Sequence, residues 1–263
     1  MPKLLPIKIK EEMIKGINSG TSINKISKGL NLGKSTIYYH YKKIKGKRYK
    51  EPQFISNLSK EEGEILGIII GDGSLFYRKN NWNYCIKIRF GKINKEYSIY
   101  VKKILERFFK KKFYLYEDCK DKLSLITTDK KIYNHLMNFI DFNKGRKYST
   151  VKVKNLKKLP NSFKKGLIKG LIDTDGSVCQ GKDGRIRIGF YTTSKKLSKQ
   201  FVELLKQFNF KYGYYITKPK SHYMQRKEYK SNILYSTYIW KESIVHFIKL
   251  IKPYKSNKIK GLW

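Results

Sequence analysis

From about residue 84 the chain switches repeatedly between two hydrophobic periods. In Tyr84–Phe90, Ile86, Ile88 and Phe90 alternate with Lys87 and Arg89, the period of a strand with one buried face. The same alternation sets Ile186, Ile188 and Phe190 against Arg185 and Arg187. Further strands are predicted at Phe113–Glu117, Lys122–Thr127, Tyr212–Thr217 and Asn232–Ile239. Helices with a single apolar stripe are predicted between them, over Lys95–Phe109, Lys130–Ile140, Lys195–Phe208 and Lys241–Ile251. Asn80-Asn81 and Asp183-Gly184 are turn pairs that close hairpins. Lys218–Lys230 shows neither period and reads as a long basic, aromatic loop that orders on binding.

Two apolar helical runs stand apart, Ile65–Gly73 and Ile168–Gly176, the first of them apolar on nearly all sides after Gly67. Each has an internal glycine, Gly67 or Gly170, and each ends in Asp-Gly-Ser with Asp72 and Asp175 lying 103 positions apart. The strand and helix that follow each run repeat as well, so residues from about 51 onward read as two copies of one α/β unit. Ser59 and Glu62 form a capping-box pattern at the start of the first run. A glycine inside a helix costs about 1 kcal/mol of propensity, and a close approach of another backbone would justify it. Packing Gly67 on Gly170 would bring Asp72 and Asp175 together at two helix C-termini. Paired carboxylates there form a concentrated negative site that a divalent cation relieves, and oxygen donors suit Mg²⁺.

Residues 1–50 carry 13 Lys/Arg against only Glu11 and Glu12. Three short helices are predicted: Lys10–Asn18; a second capped by Thr21 or Ser22, with Ile23, Ile26 and Leu30 in phase; and a third from Lys34, after the turn Asn31-Leu32-Gly33. The pattern resembles a helix-turn-helix of the resolvase or transposase type, in which the third helix enters the major groove. That resemblance implies DNA contacts from Lys34, Ser35, Thr36, Tyr38, Tyr39 and His40. Lys42–Lys50 is then a basic linker ending near Pro52.

Charge narrows the function. Lys and Arg number 59 against 20 Asp and Glu, a formal net charge of +39. Such an excess repels itself unless a polyanion neutralises it, and nucleic acid is the common one. A cationic face on a two-stranded ribbon suits groove binding, which makes Lys87, Arg89, Arg185 and Arg187 candidate DNA contacts. No apolar run approaches the ~20 residues that span a bilayer, and no signal peptide is apparent. A cytoplasmic location, or a genome-bearing organelle, is expected, with no membrane partner. Cys85, Cys119 and Cys179 have neither disulfide nor zinc spacing.

The paired stretches resemble the signature helices of LAGLIDADG homing endonucleases in the single-chain, two-motif form. The second carries Leu171, Ile172, Asp173, Asp175 and Gly176 in register. The first departs, with Ile70 and Gly71 standing where the family often has an Asp and a small residue. The resemblance covers roughly residues 58–258. It implies an α+β fold: two pseudo-symmetric αββαββα repeats forming a DNA-binding saddle, joined to the small all-α N-terminal module. The expected divisions are 1–50, 51–155 and 156–263. It also implies a monomeric enzyme that hydrolyses both strands of a long double-stranded DNA site, using Mg²⁺, with Mn²⁺ able to substitute. Asp72 and Asp175 would hold metal, with Gly71 and Thr174 beside them. Asn94 and Ser194 would be polar residues near the reaction, and Lys147 and Lys258 lysines that position water or neutralise phosphate, with Lys144 and Lys255 as rivals. Two alternatives stand: an RNA maturase that assists splicing of intron RNA, and a regulator that keeps the fold without catalysis.

Overall fold

The computed structural model describes residues 5–46, 56–78, 83–143, 147–219, 221–224, 227–230 and 232–259. The Asn80-Asn81 turn, Lys144 and the linker from residue 47 to Pro52 lie outside them. The chain forms two compact units, 1–53 and 54–263.

The first unit contains three helices, α1 (Ile7–Asn18), α2 (Ile23–Gly29) and α3 (Lys34–Lys45). Their apolar residues close a small core of Met13, Ile17, Ile23, Ile26 and Ile37. Ser22 caps α2 by accepting the backbone N–H of Lys25 at 3.3 Å. Asn31 supplies a left-handed residue (φ 47°) in the turn before α3.

The second unit begins with α4 (Lys60–Gly71), followed by the hairpin β1 (Gly73–Arg78) and β2 (Asn83–Gly91), then α5 (Lys95–Phe109), β3 (Tyr114–Cys119), β4 (Lys122–Thr128) and α6 (Lys130–Phe139). A short connection holds β5 (Ile140–Asp141), α7 (Lys147–Thr150) and β6 (Lys152–Val153). The order then repeats as α8 (Asn161–Asp175), β7 (Gly176–Gln180), β8 (Ile186–Thr192), α9 (Lys195–Gln207) and β9 (Tyr212–Thr217). An inserted hairpin, β10 (Ser221–Met224) and β11 (Lys227–Lys230), precedes β12 (Leu234–Ile239) and α10 (Lys241–Ile251). The expected loop at 218–230 is thus corrected: eight of its residues pair as an antiparallel hairpin. Its alternation of large and charged residues was too irregular to display a strand period.

The two four-stranded sheets are antiparallel, with orders β1-β2-β4-β3 and β7-β8-β12-β9. Ile86, Ile88 and Phe90 are buried as the alternation required, and so are Ile188 and Phe190. Helices α5, α6, α9 and α10 press their stripes on the core side of the sheets, and one hydrophobic core runs through both repeats.

Helices α4 and α8 lie at the centre of that core, in parallel, at backbone contact. A Cβ built on Gly67 would sit 2.6 Å from the Leu167 carbonyl oxygen and 2.9 Å from the Gly170 Cα. One built on Gly170 would meet the Gly67 Cα at 2.9 Å. Gly63 and Gly166 extend the stripe one turn back, each facing backbone of the other helix. Side chains wider than hydrogen have no room along this seam, so the propensity lost at each glycine is offset by dispersion contact between the two backbones.

The helix start differs from the simple capping box. Ser59 Oγ accepts the Glu62 N–H at 3.2 Å as expected. The Glu62 carboxylate instead reaches past Ser59 to accept Leu58 N–H at 2.8 Å and Ser56 Oγ at 2.7 Å, and it contacts His135 Nε2 at 2.9 Å. Buried beside α6, it ties the entering chain to that helix.

Candidate active site

Asp72 is the first residue past α4, and Asp175 is the last of α8. Gly73 and Gly176 start the following strands while still pressed on their own helices; a Cβ on either would meet the carbonyl oxygen of Ile69 or Ile172 at 2.6 Å. Each chain therefore turns from helix to strand at once, and both carboxylates line one cleft of about 650 Å³ with Lys147, Arg89, Tyr191 and Thr193. At Gly71 a Cβ would stand 3.4 Å from the Asp175 Cγ, so the absence of a side chain there lets the two helix ends meet.

Two lysines buttress these ends in matching fashion. Lys147 Nζ donates to the carbonyl oxygens of Ile69 (2.8 Å), Gly71 (3.3 Å) and Gly73. Lys255 Nζ donates to those of Ile172 (3.3 Å), Thr174 (3.2 Å) and Gly176 (2.5 Å). Carbonyls at a helix C-terminus lack intrahelical donors, and each ammonium bonds two of them and the first carbonyl of the following strand while opposing the negative end of the dipole. Lys255 is therefore the counterpart of Lys147. The side chain of Lys258 lies outside the described residues. The sequence offers Lys255 only as a rival to Lys258, since both follow α10 in one lysine-rich stretch and no local pattern separates them.

The electrostatics are those of charges held out of water. Burial pushes the Asp175 carboxyl up to about 6, the charge of Asp72 pushes the same way, and Lys147 and Lys255 pull it back. Asp72 is also raised, chiefly by burial, against the pull of the two lysines. Lys147 is lowered to about 8 by burial, with Asp175 and Asp72 opposing.

Asp173 belongs to the second motif. It is buried, and its carboxylate accepts the backbone N–H of Tyr254 at 2.9 Å and of Lys255 at 3.0 Å. It fixes the segment that carries Lys255. Burial raises it to about 6, with those two hydrogen bonds acting against the rise. Its position in the first repeat is filled by Ile70, which is buried and cannot accept such bonds.

Asn94 and Ser194, expected near the reacting groups, do not line the cleft. Ser194 is fully buried as the N-cap of α9: its Oγ accepts Leu197 N–H at 3.2 Å and donates to the Val151 carbonyl at 2.6 Å. Capping claims this hydroxyl completely. Asn94 is exposed at the end of a 3-10 turn before α5. The cleft takes Arg89 and Thr193 instead, because the chain leaves the cleft before it reaches Asn94 and Ser194. The carbonyls of Gly71 and Thr174, expected beside a metal, each accept a lysine ammonium proton, which leaves the two carboxylates as anionic donors.

The cationic strand residues carry partners. Lys87 Nζ and Arg89 Nε both bond Asp118 Oδ2, at 2.9 and 3.0 Å. Arg187 pairs with Asp183 at 3.0 Å and Arg185 approaches it at 3.9 Å. On α3, Lys34, Ser35, Tyr38 and Tyr39 are exposed, whereas Thr36 and His40 are half-buried. Lys42 and Lys43 lie over the rings of Tyr38 and Tyr39.

No group of three or more His, Cys, Asp or Glu side chains gathers among the described residues. No helix among them is long and apolar enough to cross a membrane.

Residues 162–252 match the family described as LAGLIDADG-like domain. Among solved structures, mesophilic variants of the homing endonuclease I-DmoI superpose with a TM-score of 0.52 at 18% identity, covering 76% of this chain and 99% of that one. I-DmoI in complex with DNA and Ca gives 0.53 at 18%, covering 74% and 91%. I-DmoI in complex with DNA and Mn gives 0.51 at 18%, covering 74% and 97%. No curated protein matches the chain in sequence. The second repeat thus matches a LAGLIDADG-like domain, and the second unit shares the two-repeat fold of I-DmoI.

Proposed function

We propose that this protein is a site-specific, divalent-metal-dependent DNA endonuclease of the homing type that cuts both strands of a long duplex site. The observation that carries the reading is the pair Asp72 and Asp175 in one cleft, each at the end of a helix of the glycine-packed pair and each helix end braced by a lysine. The carboxylates fit a hard divalent cation: they are oxygen donors held in one cleft, and their burial, which raises both, disfavours the charged forms that a cation would stabilise. A bound divalent cation would neutralise charge on the scissile phosphate and favour ionisation of the attacking water.

The chain's own groups supply the rest. Lys147 and Lys255 hold the helix ends rigid, and their ammonium charge favours an anionic phosphate in the cleft. Asp173 positions Lys255. The two repeats face opposite strands through their pseudo-symmetry, so each aspartate serves one strand. The first unit acts as a helix-turn-helix that lengthens the footprint, with Lys34, Ser35, Tyr38 and Tyr39 exposed on α3 for phosphate and base contacts. The complexes of I-DmoI with DNA and with Ca or Mn support DNA and a divalent ion as partners.

The test is cleavage of a randomised duplex pool with Mg²⁺ by the wild type, Asp72→Asn and Asp175→Asn. Site-specific double-strand breaks that become single-strand nicks, or vanish, in the variants are expected. Specific binding with no cutting in any divalent metal would overturn the enzyme and leave a regulator. Preference for folded intron RNA over every duplex would point to a maturase.

A further inference from the structure

The exposed faces of the two sheets are not equivalent. In the first, one cross-strand row runs Ser74, Lys87, Ile126, Tyr114. The matching row of the second runs Ser177, Gly189, Tyr238, Gly213. Tyr238 is thus flanked by a glycine on each side. Tyr191 and Tyr215, from the adjoining row, lean over those glycines. A Cβ on Gly189 would meet the Tyr191 hydroxyl oxygen at 2.6 Å, and one on Gly213 would meet Tyr215 Cε2 at 2.9 Å. The Tyr191 and Tyr215 rings each lie 5.8 Å from that of Tyr238, edge-on. Bare glycine inside a strand weakens it, and rings laid over the gap recover contact. Tyr215 remains 57% exposed and Tyr238 38%, so the fan is a surface and not core. Tyr191 also lines the cleft that holds Asp72 and Asp175, which makes the fan continuous with the candidate active site. The place matching Lys87, whose charge is bridged to Asp118, is bare backbone here.

We infer that the Tyr191–Tyr238–Tyr215 fan is the specificity surface of the second repeat, and that it selects A·T pairs in its half of the target through contact of neutral rings with thymine methyl groups. This rests on the endonuclease reading. Three rings offer broad apolar area and hydroxyls that both donate and accept, with no charge to favour guanine O6 and N7 over other edges. Arginine and lysine favour guanine. Arg185 and Arg187 lie further along the same face, at the start of β8, held by Asp183, so the A·T preference belongs to the pairs under the rings. The first repeat, with Lys87 and Arg89 at the positions matching Gly189 and Tyr191, is the internal comparison.

Duplexes bound by the full chain are selected from a randomised pool and sequenced. A photo-crosslinker on the exposed Cys179 of β7, in a Cys119→Ser background, marks the half lying under the second sheet. The wild type should enrich A·T pairs there, with each change to G·C weakening binding on the order of tenfold. Tyr238→Ala should erase that preference and leave the other half unaltered. Gly213→Ala, which forces the Tyr215 ring off its seat, should do the same while all three rings are kept. Enrichment of G·C under the crosslinker, or an unchanged preference in both variants, would overturn the assignment alone. Absence of any enriched duplex in either half would overturn the endonuclease reading with it.

Discussion

Asp175 shows how one side chain couples stability to chemistry. Its carboxyl is raised in the fold to about 6 from an ordinary value near 3.8. A raised acid binds its proton more tightly when folded, so its stabilising share is complete below the unfolded value and is lost as pH rises through about 6. Metal-free protein should therefore lose stability between about pH 4 and pH 6 on this account, and Asp175→Asn should raise the neutral-pH Tm while it disables one strand's cleavage. Thermal melts of both proteins across that pH range check the sign. The lysines are tested separately. Lys147→Met and Lys255→Met should each slow cutting about 10²-fold, mainly on one strand, from the magnitude typical of lost electrostatic donors. Strand-labelled nicking assays read the asymmetry. The aspartates were legible in the sequence because a repeated Asp-Gly-Ser closes each apolar run. Lys255 could not be separated from Lys258 there, because in a lysine-rich tail only the three carbonyls at the end of α8 and the start of β7 distinguish them.

At the scale of elements, the α4–α8 seam is the feature least tolerant of change. Gly67→Ala or Gly170→Ala drives a methyl group into backbone that cannot retreat, and should cost about 3 kcal/mol or more. The denaturant midpoint should fall with little change in its slope. By comparison, Ser22→Ala removes one N-cap from a short helix and should cost about 1 kcal/mol, confined to the first unit. The strands and amphipathic helices were legible because period 2 and period 3.6 leave plain marks when one face is buried. Ser194 is ambiguous in the sequence for an equally local reason. A serine before Lys195-Lys196-Leu197 is both a plausible polar site residue and an N-cap, and the helix took it. The Glu62 contact with His135 joins residues far apart in sequence, and no local pattern announces it.

For the whole molecule, the two units have separate cores, so each carries its own folding free energy. A fragment of residues 54–263 should fold and cut in Mg²⁺, with weaker binding and a shallower dependence of log K on log salt, since it lacks the phosphate contacts proposed for the first unit. Electrophoretic mobility at several salt concentrations measures both. A fragment as salt-sensitive as the full chain would show that residues 1–53 make no phosphate contacts.

The sequence by itself determined the repeat, the helix pair, the hairpins and the cationic character, because periodicity, glycine placement and net charge are local or additive properties. Only the tertiary structure decided which lysine braces the second helix end, that Asp173 holds that lysine's segment, and that Lys87 and Arg89 share Asp118. It alone laid Tyr191 and Tyr215 over the two glycines that flank Tyr238. These depend on which atoms arrive within about 3 Å of a side chain, and that distance is set by packing between segments far apart in sequence.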